Sequence, residues 1–523
     1  MAAKILKREI SIKGLLFISI GSMVGSGWLF GALYAAKAAG PAAILAWVIG
    51  AAAVAVIAFV YAELGSSLPW PGGLARYPRL SFGYFSGLSF SWIAWLSYIT
   101  VAPIEAQAVL EYASDYYPAL THTVNGDIEL TSLGIGIAAL LLFSFCLINY
   151  FGVKFFVRIN NVIVYWKLLI PSVTILIFLF IKFEPQNFTA EGGFLPLGWK
   201  GVLTAISTSG VIMAYTGFRA AIELAGETKN PQKAIPFAII GSVIICMFLY
   251  LGLQIAFIGS LNLSDIQDGW KHISFKGISG PFASLALGLG LGWFAKILFF
   301  DALISPSGTA LVCTGATARL TYAMGEKKFF PSWFTRLNKY QVPALGLFIN
   351  YAVGLILLLP FPGWAELVGF ISAAGALSFC SGPCVLLALR KQKSDLNRPF
   401  KIPFPQIFAS SAFVISNLIV YWTGWQTNSK LFLIIIAGML LLLIYNWICQ
   451  GIKLKLNFLS GLWVILLIAG QMFLSYCGSF GGGKGWMPFG WDLLIVSLFS
   501  LIVLSIAVLF RLKTEQMETI EVA

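Results

Sequence analysis

Apolar runs, each about as long as a membrane crossing, repeat along the whole chain between short polar or turn-forming stretches. One spanning helix takes about 20 predominantly apolar residues. Runs of that order lie at 14–37, 41–68, 84–113, 131–151, 160–182, 200–223 and 234–260, and again at 283–318, 344–361, 364–389, 405–424, 430–450, 458–478 and 490–511. The pattern predicts fourteen spans, with twelve as the fallback. The split between the ninth and tenth rests only on the turn residues Pro360, Pro362 and Gly363. Connecting stretches reach only about 25 residues, too short for a large soluble domain. Lys4, Lys7, Arg8 and Lys13 precede the first run. No small-residue cleavage site follows a short apolar core, so this run reads as a first span rather than a signal peptide.

Glycine placement marks where this pattern is interrupted. In hydrocarbon every backbone polar group needs a partner, so irregular backbone survives at membrane depth only where it lines a cavity. The first span holds Gly21-Ser22-Met23-Val24-Gly25-Ser26-Gly27 near its middle. Close helix packing through a GxxxG pattern is the plainer explanation of Gly21 and Gly25. The sixth span, however, carries a matching polar break, Ser207-Thr208-Ser209-Gly210 through Met213, Thr216, Gly217, Phe218 and Arg219. Paired interrupted helices five spans apart mark an inverted repeat with substrate at the midplane. The expected fold is an all-α polytopic membrane protein with a 5+5 inverted repeat. Residues 14–182 and 200–389 form its halves, 405–511 add four C-terminal spans, and 512–523 form a tail. Broken helices expose N–H groups suited to a carboxylate and carbonyls suited to an ammonium. An amino acid presents both.

Composition agrees with this and charge refines it. The 523 residues are 59% hydrophobic and 11% charged, against roughly 25% charged in soluble domains. A net charge of +13 in a soluble chain would suggest nucleic acid. Here, of 34 Lys and Arg, 24 fall in alternate segments taken as cytoplasmic, seven in the opposite set and three within spans. That bias places both termini in the cytoplasm and leaves no call for a nucleic-acid partner. All seven cysteines lie in apolar runs, and Cys380 and Cys384, though on one helix face, have no histidine or carboxylate beside them. They read as packing residues. His122 and His272 fall in predicted loops, which disfavours a histidine-based metal or catalytic centre. With no P-loop and no HExxH motif, an enzyme is disfavoured too. Glu111, Asp115, Asp127 and Glu129 before the fourth span read as a solvated surface.

Several segments then resemble the amino acid-polyamine-organocation superfamily of permeases. Gly25-Ser26-Gly27 matches its unwound first helix. Tyr61-Ala62-Glu63-Leu64-Gly65-Ser66-Ser67-Leu68-Pro69 with Gly72-Gly73 looks like its second-span signature. Gly226-Glu227-Thr228-Lys229-Asn230-Pro231 resembles the segment after its sixth span, and Ala318-Arg319-Leu320-Thr321-Tyr322-Ala323-Met324-Gly325 the motif closing its eighth. The resemblance, which covers about residues 14–390, implies a LeuT-type fold and secondary transport by alternating access. It implies that Ser26 and the Gly27 amide hold the substrate carboxylate and that the Met23 and Thr216 carbonyls take the ammonium. Ser22, Gly25 and Gly217 complete the two breaks, and Met213 sits where some relatives carry an aromatic gate.

Ionisable residues within spans are functional hypotheses by default. Lys167 resembles a fifth-span lysine of many such permeases, placed where sodium-driven relatives hold a cation. It implies sodium independence with a proton as coupling ion, or else a static tether to carbonyls of the first helix. Arg219 departs from the family, which often has an acidic residue there. Its planar fork suits a side-chain carboxylate, while an i,i+4 pair with Glu223 is the alternative. Glu105 is a candidate proton carrier. Asp301 and Lys296 are expected to pair or to line the pathway. Pro306, among Ser305, Ser307 and Gly308, is expected to disturb its helix, and Ser372 and Ser378 suit either hydrogen bonding between helices or the pathway.

The expected function is import of amino acids, acidic ones first, by proton symport across the plasma membrane, with no cofactor. The chain also shares its fourteen-span count with bacterial aspartate-proton symporters of the same superfamily. An exchanger, a neutral amino acid permease and a non-transporting sensor of the same fold remain open, as does the oligomeric state.

Overall fold

A computed structural model describes residues 8–124, 127–273, 275, 280–359, 363–450 and 457–517. Lys4, Lys7, Lys276, Lys453, Lys455, the Pro360–Pro362 turn and residues 518–523 lie outside the described residues, as do the side chains of Asp127, Lys154 and Cys449. The first half of the chain forms α1 (Ile12–Met23), α2 (Ser26–Ala39), α3 (Ala43–Ser67), α4 (Gly73–Ile99), α5 (Val101–Ala113), a hairpin of β1 (Thr121–Val124) and β2 (Asp127–Leu130), α6 (Ser132–Tyr150) and α7 (Val153–Ile181). It continues as α8 (Gly198–Thr208), α9 (Val211–Tyr215), α10 (Ala220–Glu223), α11 (Pro231–Ser260), α12 (Leu263–Ile266), α13 (Pro281–Gly288), α14 (Gly292–Glu326), α15 (Ala344–Leu357), α16 (Trp364–Phe379) and α17 (Ser381–Gln392). Last come α18 (Pro405–Thr423), α19 (Trp425–Gln450), α20 (Phe458–Cys477) and α21 (Trp491–Leu509).

Eleven helical stretches among the described residues are long and apolar enough to cross a membrane, or twelve if the bent pair α8 and α9–α10, 49° apart, is one span. α1 and α15 are shorter apolar helices. The sequence count of fourteen differs because α2 and α3 run as one stretch, Ser26–Ser67, around a 3-10 corner at Gly40–Ala42. α4 turns at Gly83, whose φ of 82° suits a residue without a side chain, one residue before the expected start of the third span.

Burial separates centre from periphery. The most apolar window of α4–α5 is 94% buried, that of α6 only 28%. α1 packs against α7, α11, α14 and the 3-10 turn Thr216–Arg219, so the interrupted helices sit at the middle of the bundle.

Buried and half-buried ion pairs tie the segments together. Arg319 Nε donates to Glu227 Oε1 at 2.6 Å and Arg390 Nη2 to Glu63 Oε2 at 2.6 Å, while Arg76 pairs with Glu326. The N-terminal arm joins them. The amides of Glu9 and Ile10 donate to the Glu227 carbonyl, and the Lys229 amide donates to the Ile10 carbonyl, making a parallel bridge.

Several expectations fail here. Glu111 is 6% exposed rather than solvated, because α5 keeps helical geometry to Ala113 and its last turn stays packed. His122 lies on β1, paired with Glu129. Lys296 and Asp301 do not pair: five residues apart on a helix they face different ways, Lys296 exposed and Asp301 buried. α14 runs unbroken across Pro306.

Candidate functional site

Each interrupted helix ends where the other approaches. α1 stops at Met23, whose helix is closed by the Val24 N–H on the Ile20 carbonyl, and α2 restarts at Ser26 with Gly25 as an N-cap lacking any side-chain acceptor. α8 stops at Thr208, and Gly210, at φ 88°, bends the chain by 49° before α9. A Cβ on Gly217 would stand 2.5 Å from the Ser22 carbonyl carbon and 2.6 Å from the Met23 nitrogen. Two backbones therefore meet at a distance only glycine permits.

A small cavity of about 10 Å³, room for roughly one water molecule, opens at this crossing. Ser22, Met23 and Gly27 line it from the first break, and Met213, Thr216, Gly217 and Arg219 from the second. Glu105 faces it from α5, Thr309 and Cys313 from α14. Gly25, Ser26, Lys167 and Glu223 do not line it.

The amide next to the Gly27 N–H expected for a substrate carboxylate is occupied by a carboxylate of the protein. The Ser26 N–H donates to Glu105 Oε2 at 2.8 Å. A Cβ on Gly25 would lie 2.6 Å from Glu105 Oε1 and 2.5 Å from Thr309 Oγ1, so Gly25 makes room for both. The Ser26 hydroxyl accepts from Trp364 Nε1 at 2.9 Å, and Trp364 stacks on Tyr34, centroids 5.3 Å apart, and tilts against Phe30 at 5.0 Å. None of these three rings lines the cavity. The Met23 carbonyl accepts the Tyr250 hydroxyl at 2.7 Å and the Gly25 N–H at 3.1 Å, filling both its lone pairs. The Thr216 hydroxyl bonds back to the Met213 carbonyl at 2.8 Å, and the Ser22 hydroxyl meets Cys313 Sγ at 3.3 Å.

Lys167 is fully buried and donates to the Gly21 carbonyl at 2.7 Å and Thr309 Oγ1 at 2.8 Å. It thus tethers the end of α1 to α14. Arg219, 2% exposed, donates to Ser97 Oγ at 2.6 Å and the Ser97 carbonyl at 3.3 Å, and its guanidinium carbon lies 3.9 Å from the Tyr98 ring centroid. It makes no ion pair with Glu223 among the described residues, because the tighter 3-10 winding of Thr216–Arg219 takes Arg219 off the face an α-helix would give it. The Glu223 carboxylate is instead directed at the turn around Gly72, with no hydrogen bond from a side chain.

Nothing in the pattern marks Trp364 or Tyr250, which sit in apolar runs like any lipid-facing aromatic. Thr309, four residues past Ser305 and next to Gly308, belongs to the polar stretch already noted, and the helical spacing was the usable signal.

An amino acid permease family profile matches residues 10–442. The chain is 38% identical over 95% of its length to the glutamate/serine transporter AimA of Bacillus subtilis (strain 168), covering 93% of that protein. It is 35% identical over 95% of its length to the aspartate-proton symporter of the same organism, covering 95% of it. A branched-chain amino acid permease, BcaP, also of Bacillus subtilis, is 25% identical over 85% of the chain and 94% of that protein.

Proposed function

We propose that this chain, which belongs to the amino acid permease family and is a multi-pass membrane transporter rather than an enzyme, imports acidic amino acids across the plasma membrane by proton symport. The observation that carries the reading is Arg219. A buried guanidinium without a carboxylate partner is costly, and this one faces the cavity between the two helix breaks. A substrate side-chain carboxylate supplies the missing counter-charge with the bidentate geometry that arginine favours. The two relatives over 30% identical, named for glutamate/serine and aspartate-proton transport, agree with an acidic substrate.

Coupling follows from the contest for the Ser26 amide. While Glu105 is a carboxylate it holds that N–H. Protonation weakens the bond, since charge-assisted hydrogen bonds are about twice as strong as neutral ones. The substrate α-carboxylate then takes the amide. One proton bound per aspartate, which carries a net charge of −1, makes the loading step electroneutral. Lys167 holds the break together from behind. In this reading Ile12–Ala39 is a single interrupted span, Ala43–Ser67 the next, and Ala344–Leu357 a short span. That grouping restores fourteen spans, a LeuT-type 5+5 core with four more, and puts the basic loops and both termini in the cytoplasm.

The test is uptake of labelled aspartate into proteoliposomes. Arg219→Ala is expected to raise the KM for aspartate about 30-fold or more, the loss associated with a buried charge partner, and Arg219→Lys to recover only part. Serine uptake, measured alongside, should change far less. Unchanged aspartate affinity in Arg219→Ala removes Arg219 from the site.

A further inference from the structure

α14 carries a buried polar stripe at four-residue spacing, Asp301, Ser305, Thr309 and Cys313, all on one face. Its last two members line the cavity, and Thr309 also accepts from Lys167. Asp301, at the hairpin end of the stripe, is fully buried and does not line the cavity. Its Oδ1 accepts the Ser305 hydroxyl at 2.7 Å, while Oδ2 has no hydrogen-bond partner. The indole N–H groups of Trp28 on α2 and Trp166 on α7 approach this carboxyl without a hydrogen bond of good geometry. The titratable groups nearest it are Lys167 from α7 and Tyr112 from α5, neither within hydrogen-bond or ion-pair distance. A fully buried carboxyl with one well-formed hydrogen bond is costly to keep for packing alone.

We propose that Asp301 is a proton-binding site set behind Lys167, outside the substrate cavity, from which the coupling proton reaches Glu105. This rests on the proton-symport reading above. Neither the Asp301 nor the Glu105 carboxyl is within ion-pair distance of the Lys167 amine, which is held by the Gly21 carbonyl and Thr309, so water carries the proton across each gap. The carboxyl Oδ2–H protonates the Lys167 amine, leaving a carboxylate and an ammonium; the ammonium then protonates the Glu105 carboxylate, returning to the amine as Glu105 becomes neutral and lets go of the Ser26 N–H. Charge is conserved at both steps, and water is the only other participant. Because the route runs along α14 and α7 rather than through the cavity, the proton can load whether or not substrate is bound.

The experiment compares wild type, Asp301→Asn, Asp301→Glu and Ser305→Ala as full-length protein in proteoliposomes holding a pH-sensitive dye. Asp301→Asn is expected to keep labelled-aspartate counterflow within about threefold of wild type, while accumulation driven by an imposed pH gradient and aspartate-evoked proton entry fall by about tenfold or more. Asp301→Glu should restore part of both. Ser305→Ala removes a donor to the charged carboxylate, which raises its proton affinity, so the pH at half-maximal uptake should move up by about 1 unit. Proton-driven accumulation in Asp301→Asn equal to wild type overturns the proposal. Loss of counterflow together with accumulation also overturns it, since it marks a structural residue. If Asp301→Asn does not fold, an unmoved pH midpoint in Ser305→Ala is the overturning result. A wild-type protein with no aspartate-evoked proton entry removes the symport reading and this one together, whereas intact wild-type coupling that survives in Asp301→Asn removes Asp301 alone.

Discussion

At the scale of single residues, the site depends on a few polar atoms whose partners come from distant parts of the chain. Trp364 shows this most directly, since its N–H reaches the Ser26 hydroxyl across 338 positions. Trp364→Phe keeps the ring over Phe30 and Tyr34 but removes that donor. A net hydrogen bond of about 1 kcal/mol corresponds to roughly a fivefold rise in KM for aspartate, with little change in melting temperature. Measuring both separates a substrate contact from a packing role. Charged residues within spans were legible in the sequence because hydrocarbon makes them conspicuous, which is how Lys167, Arg219 and Glu105 were found. Their partners were not legible. Pairing Arg219 with Glu223 assumes α-helical winding, and the 3-10 turn at Thr216–Arg219 removes it. Ser97 and Tyr98, which hold Arg219 instead, carry no charge to mark them.

At the scale of elements, interrupted helices work only if their breaks can touch. Gly217→Ala is expected to push the Thr216–Arg219 turn away from Ser22 and Met23, because the added carbon meets backbone rather than a movable side chain. Uptake should fall by about tenfold or more, consistent with the sensitivity of bound geometry to displacements near 1 Å. Gly136→Ala is the control. That glycine lies in α6 with nothing within 4 Å of an added Cβ, so alanine should be neutral or stabilise by up to about 1 kcal/mol through helix propensity. Breaks were readable at the glycines of the crossing, Gly25 and Gly217, whereas the bend at Gly83 lay unmarked at the edge of an apolar run. Pro306 misled because a ring costs little where α14 can absorb one lost backbone bond in a tightly packed interior.

At the scale of the whole molecule, ligand binding should stabilise the entire bundle, because the cavity draws on α1, α2, α5, α9 and α14 at once. A thermal-shift screen of the twenty amino acids on purified protein is expected to single out aspartate and glutamate. At a hundred times Kd the gain is about 2.7 kcal/mol, and stabilisation only by neutral amino acids would point to a different substrate class. Class, membrane embedding and the two breaks were legible from hydropathy and glycine alone. Span number was less so, because α2 and α3 meet at the short corner Gly40–Ala42 and α1 and α15 fall short of spanning length on their own. The arm at Glu9 and Ile10 has a practical meaning of its own. Its bridge to Glu227 and Lys229 clasps the start of α1 to the stretch that follows α10, so a displacement of one half-helix is expected to carry the other with it like a lever. An affinity tag replacing residues 1–7 leaves that clasp intact, whereas a deletion reaching Ile10 uncouples the lever while sparing every residue around the substrate.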